Sequence, residues 1–162
     1  MNFLAPFGIN IKDKKLLETA LTHSSFANEE KVKDYERLEF LGDAVLQIII
    51  SEYFYLNTDL SEGEMTKLRA SYVCEAALAE YSKKIELIPF IRLGCGQKKD
   101  ISDTIVADIF ESVIGAVYLS NGIKDAKKLV DRIVIPFIKD NHQFLGTIRQ
   151  FFKKLCKQQK KH

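Results

Sequence analysis

Glu36-Arg37-Leu38-Glu39-Phe40-Leu41-Gly42-Asp43 is the stretch that decides how the chain is read, because it sets three carboxylates into a segment otherwise patterned as core. A helix turns about 100° per residue, so offsets of three and seven bring Glu36, Glu39 and Asp43 to one face. Leu38, Leu41, Val45, Leu46 and Ile49 form an apolar stripe beside that face, at the spacing of a packed helix. Like charges one turn apart cost about 0.2–0.5 kcal/mol even on an exposed helix, and more where water is excluded. A divalent cation turns that repulsion into a binding site. Gly42 adds a second signal. A glycine inside a helix costs about 1 kcal/mol relative to alanine, so its presence points to a close approach at that position.

A second acidic pair follows in Ile105-Val106-Ala107-Asp108-Ile109-Phe110-Glu111-Ser112-Val113-Ile114-Gly115-Ala116. Asp108 and Glu111 are three apart and share a helical face, while Ile105, Ile109, Val113 and Val106, Phe110, Val117 cover the opposite side. Two apolar helices that each carry a short acidic stripe are what a Mg²⁺ site with oxygen ligands uses. Spacing alone leaves the plainer reading open, since acidic pairs at this interval are common on solvated helix faces.

Four segments in order closely resemble the catalytic domain of the ribonuclease III family. They are Ala20-Leu21-Thr22-His23-Ser24-Ser25, Glu36 to Leu46, Glu62-Gly63-Glu64-Met65-Thr66-Lys67-Leu68-Arg69-Ala70, and Ala107 to Ala116. The resemblance spans roughly Leu16 to Ile138, and the eight-residue acidic signature is far more specific than a lone GxGxxG. It implies an all-α, single multi-helix endonuclease domain that hydrolyses phosphodiester bonds of double-stranded RNA. Carried over residue by residue, Glu39, Asp43, Asp108 and Glu111 ligate Mg²⁺, with Mn²⁺ as a substitute, and Asp43 and Glu111 are the catalytic pair. Glu36 and Glu62 support the acidic cleft. By periodicity Phe40 would be ordinary core, whereas the family's aromatic at this place projects across a twofold interface. Phe40 is therefore the expected anchor of a homodimer.

Composition fits one core: 162 residues, 46% hydrophobic, 28% charged, net charge +2. No apolar run approaches the roughly 20 residues of a membrane span, and the first residues lack the basic start and long apolar region of a signal peptide. The expected location is cytoplasmic, with the nucleus also open. Cys74, Cys95 and Cys156 are scattered, with no CxxC, and suggest neither a disulfide frame nor a zinc site. Cys74 reads as a small core residue of a helix. Gly94-x-Gly96 before Lys98 and Lys99 is too short for a phosphate-binding loop and reads as a turn. His23 has no histidine or cysteine at ligand spacing, so a hydrogen-bonding role near a helix end is favoured.

The periodicity predicts helices over 13–22, 34–57, 62–72, 74–85, 102–120, 124–139 and 144–158. Ser61 with Glu64 makes a capping box, and Asp34 and Ser102 are candidate caps. The catalytic domain is placed at 1–140 and a basic helix or tail at 141–162. In that tail Lys153, Lys154 and Lys157 interleave with Phe151, Phe152 and Leu155. The tail reads either as a weak RNA-contacting arm or as a solvated terminal helix. Bacterial relatives usually carry a double-stranded-RNA-binding domain after the catalytic one. About 24 residues follow Ile138, too few for it, so a catalytic domain without that partner is expected. Two rival functions share the pattern. One is an all-α nucleoside triphosphate pyrophosphohydrolase with helical carboxylates around Mg²⁺; the other is a catalytically silent dimer that binds RNA or protein. A ferritin-like di-iron site is disfavoured, because no Glu-x-x-His pair occurs.

Overall fold

The computed structural model describes residues 3–97 and 101–140. Its helices are α1 (Lys14–Ala20), α2 (Ser24–Glu30), α3 (Glu36–Asn57), α4 (Glu62–Tyr72), α5 (Glu75–Lys84), α6 (Asp103–Asn121) and α7 over 123–140. Short 3-10 turns lie at Ala5–Phe7 and Ile88–Phe90. No strand occurs among the described residues; one isolated bridge joins Thr22 to Arg92. The all-α expectation holds.

Helix α6 is the centre of the fold. Eleven of its residues, from Ile105 to Val117, are buried, because apolar positions run nearly all round the helix. It packs against α3, α5 and α1. From α3 come Leu38, Val45, Leu46, Ile49, Ile50 and Phe54, all buried in the same core. The buried polar side chains are satisfied: Ser112 Oγ donates to Ala20 O at 2.6 Å, Ser82 Oγ to Val106 O at 3.1 Å, and Thr22 Oγ1 to Glu18 O at 2.6 Å.

Caps set the helix starts as expected at two places. Ser61 and Glu64 form a reciprocal capping box on α4, and Ser102 accepts from Ile105 N. Asp34 lies one position outside the cap it was expected to provide: Tyr35 is the N-cap of α3, and Asp34 Oδ1 accepts from Glu36 N at 3.2 Å.

Helix α2 was not expected from the sequence. Its seven residues, SSFANEE, bury only Ala27, so no periodic stripe marks it. Its signals are unusual as well. His23 caps it through its ring, and Lys31 closes it at φ 55°, where glycine or asparagine is the usual residue. Cys74 is a second correction: it is the exposed N-cap of α5 and not a core residue. The helix expected over 144–158, the basic tail with Lys153, Lys154 and Lys157, the residues Lys98 and Lys99, and Cys156 lie outside the described residues.

Candidate active site

Helices α3 and α6 cross with their backbones in contact at Gly42 and Gly115. A Cβ on Gly42 would fall on the carbonyl oxygen of Glu111, far inside van der Waals contact, and 3.1 Å from Gly115 N. A Cβ on Gly115 would likewise collide with the Leu38 carbonyl and lie 3.2 Å from Gly42 N. The close approach expected at Gly42 is therefore to the second acidic helix. Glu39 and Asp43 flank that contact on α3, and Asp108 and Glu111 precede it on α6, so two acidic stripes 65 positions apart in sequence face one another.

The carboxylates act on each other's charge. Burial pushes Glu111 up to about 8, helped by the negative charges of Asp43, Glu39 and Asp108. Burial also raises Glu39, with further contributions from Asp108, Glu36 and Asp43. Asp108 is raised by burial, and the hydrogen bond from Tyr35 opposes that rise. Four hard oxygen donors, with the ionised forms of Glu39, Asp108 and Glu111 disfavoured by burial, make a donor set that suits a divalent cation. As placed, however, no three acidic, histidine or cysteine side chains among the described residues converge on one point. Two of the carboxylates are held by protein donors. Gln47 Nε2 donates to both oxygens of Asp43, at 2.7 and 3.0 Å, and Tyr35 Oη donates to Asp108 Oδ2 at 3.1 Å.

The other expected site residues are arranged as follows. Glu36 is exposed at the first turn of α3, close enough for its charge to bear on Glu39. Glu62 opens α4, accepts from Thr66 Oγ1 at 3.0 Å, and is not among the charges acting on Glu39, Asp108 or Glu111. It lines a separate groove of about 580 Å³ between α3 and α4, with Ile48, Tyr55, Met65 and Arg69. Within one chain the structure brings Glu36 to the cluster and leaves Glu62 apart. Phe40 is 83% exposed, which excludes the core-filler reading. His23 caps α2, its Nδ1 accepting from Ser25 N at 3.2 Å, as its expected hydrogen-bonding role requires.

Sequence reasoning missed three residues of the site. Gln47 stands four positions after Asp43, an interval at which amide–carboxylate pairs form on helices, and could have been found. Glu75, the first residue of α5, raises Asp108 by its charge and also accepts a hydrogen bond from Thr104. It and Tyr35 reach α6 only through tertiary folding.

A family model described as Ribonuclease-III-like matches residues 13–138. The chain is 45% identical over 148 residues to Ribonuclease 3 of Listeria monocytogenes serotype 4a, covering 87% of this chain and 64% of that relative. Identity to Ribonuclease 3 of Streptococcus equi subsp. zooepidemicus is 44% over 140 residues, covering 82% and 61%. The chain thus spans less than two thirds of the length of these curated relatives. Among solved structures it is similar to the nuclease domain of ribonuclease III from Campylobacter jejuni, with a TM-score of 0.76 at 36% identity, covering 82% of this chain and 94% of that one. That structure's description concerns a region involved in dimer formation. Similarity to Dicer from Pichia stipitis gives a TM-score of 0.64 at 27% identity, covering 82% and 59%. Since the family model takes in both acidic helices and the glycine crossing that joins them, the chain belongs to the Ribonuclease-III-like family.

Proposed function

We propose that the chain is a divalent-metal-dependent endoribonuclease that cleaves double-stranded RNA as a homodimer, with Mg²⁺ as cofactor and Mn²⁺ as a substitute. The observation that carries this reading is the meeting of Glu39 and Asp43 with Asp108 and Glu111 across the Gly42–Gly115 crossing. These four carboxylates are the residues that would hold the ion. A bound divalent ion supplies Lewis acidity, activating water as the nucleophile and offsetting charge that develops on the scissile phosphate.

The rest of the work belongs to the protein. Glu111 in its half-buried place keeps a proton into the neutral range when no cation is near, so cation and proton compete for that carboxylate. Gln47 orients Asp43 and must share it with any incoming ion. No side-chain nucleophile is needed, which fits a cluster made of carboxylates alone.

The homodimer is supported by the outer face of α3, where Phe40 (83% exposed), Ile48 (63%) and Tyr55 (75%) lie at helical intervals. A row of large apolar side chains exposed along one helix marks an association surface. A twofold dimer presents two sites to a duplex whose strands are themselves related by twofold symmetry. Glu62, set apart within one chain, borders this face through its groove with Ile48 and Tyr55. No helix among the described residues is long and apolar enough to cross a membrane.

The test is a gel assay on long duplex RNA with and without Mg²⁺, using the Asp43→Asn variant as a control. Cleavage that needs Mg²⁺ or Mn²⁺ and disappears in the variant supports the reading. Nucleotide hydrolysis without duplex cleavage would sink it in favour of the pyrophosphohydrolase alternative.

A further inference from the structure

Two buried tyrosines spend their hydroxyls differently. Tyr81, 1% exposed, donates to the backbone carbonyl of Tyr72 at 3.2 Å, an ordinary way to satisfy a core phenol. Tyr35, 6% exposed, instead donates to Asp108 Oδ2, reaching from the start of α3 to α6. The Tyr35 side chain has little freedom. Its backbone N–H donates to Thr22 O at 3.0 Å, and its carbonyl accepts from Leu38 N and Glu39 N at 2.8 and 3.0 Å. Its ring stacks on His23 with centroids 5.7 Å apart and planes at 20°. The imidazole beneath is itself fixed through Nδ1 by Ser25.

We infer that Tyr35 is a positioning residue of the acidic site, whose anchored phenol fixes the Asp108 carboxylate with Oδ2 engaged and Oδ1 left open to a cation. The inference rests on the metal-dependent reading above. An aspartate surrounded by other acids lowers its energy by swinging away from them. A phenol-to-carboxylate hydrogen bond is charge-assisted, about twice as strong as a neutral one, and opposes that swing. Asp108 is then oriented before any ion arrives. Tyr35 also directly precedes Glu36, so the contact that orients Asp108 fixes the start of the helix bearing Glu36, Glu39 and Asp43.

Tyr35→Phe and Tyr81→Phe separate positioning from simple support of the fold, since each deletes one buried hydroxyl and keeps the ring. Mn²⁺ binding to the full chain without RNA is read by electron paramagnetic resonance of the free ion, and melting temperature is read in EDTA. Tyr35→Phe should weaken Mn²⁺ binding about tenfold, the lower end for removing a partner of a ligand. Tyr81→Phe should lower the melting temperature and leave Mn²⁺ affinity within twofold of the unsubstituted chain. With RNA present at saturating metal, KM should be unchanged in Tyr35→Phe, while the metal concentration for half-maximal cleavage rises about tenfold. Unchanged Mn²⁺ affinity in Tyr35→Phe, or equal losses in both variants, overturns the inference alone. An unsubstituted chain that binds no Mn²⁺ overturns the metal-dependent reading and the inference with it. A measurement on the unsubstituted chain covers the case in which Tyr35→Phe fails to fold. The chain has six tyrosines and no tryptophan, so bound Tb³⁺ excited at the tyrosine band should luminesce strongly next to the Tyr35 phenol. Bound Tb³⁺ that stays dark overturns the placement.

Discussion

Replacing Glu111 by glutamine should raise the melting temperature of the metal-free protein, by an amount that grows with pH. Burial and then the charges of Asp43, Glu39 and Asp108 push Glu111 up to about 8, against an ordinary glutamate value of 4.5. Between those values the folded chain keeps a proton that the unfolded chain has released. Stability therefore falls as pH rises from about 4.5 to about 8, and the full penalty is present above that window. The span corresponds to at most about 5 kcal/mol at 1.36 kcal/mol per pH unit. The side chain is partly open to water, and screening reduces the net penalty to roughly 1–2 kcal/mol. For a domain of this size each kcal/mol moves the melting temperature by about 2–4 °C, so Glu111→Gln should melt about 3–6 °C higher at pH 8.5 and about equal near pH 4.5. The assay is thermal unfolding followed by circular dichroism in EDTA, at half-unit pH steps. Mg²⁺ at a hundred times its Kd should stabilise the unsubstituted chain by about 2.7 kcal/mol and Glu111→Gln by less, reversing their order. A variant that melts lower than the unsubstituted chain in EDTA at pH 8.5, or a difference that does not change with pH, would refute the electrostatic reasoning.

Gly42→Ala should destabilise the fold by about 3 kcal/mol, because the new methyl meets the backbone of α6, which cannot rotate away. Gly63→Ala on exposed α4, where nothing lies within 4 Å, should instead stabilise by about 0.5 kcal/mol; chemical denaturation of the pair decides. Phe40→Ala should weaken dimerisation by about 2 kcal/mol while leaving helicity intact, and a monomeric unsubstituted chain at micromolar concentration in sedimentation would remove the basis for the dimer. Affinity for duplex RNA should fall steeply with salt, given a net charge of only +2 and reliance on phosphate contacts. Truncation after Gln150 should flatten that slope if Lys153, Lys154 and Lys157 reach phosphates, and leave it unchanged if they do not.

The two acidic stripes and the helices that carry them were legible from residue order, because helical periodicity is local: offsets of three, four and seven fix which side chains share a face. The capping box at Ser61 and Glu64 and the cap at Ser102 were legible for the same reason. Helix α2 was not. Seven residues with one buried alanine leave no periodic trace, and what holds α2 in place comes from distant parts of the chain. Arg92 lies over the Phe26 ring at 4.4 Å, and Glu29 accepts from Cys95 N at 2.9 Å. Cys74 was misread because an apolar flank does not distinguish the last residue before a helix from one inside it.

What the sequence determined by itself is the all-α class, the acidic faces of α3 and α6, and the need for a close approach at Gly42. Each of these follows from interactions within a few turns of one helix. Only the tertiary structure decided that Gly42 meets Gly115, that Glu62 stands apart from the other acids, and that Tyr35 reaches Asp108. Those outcomes depend on which helices pack and at what angle. That choice is made by the summed burial of side chains far apart in the chain, which no local spacing encodes.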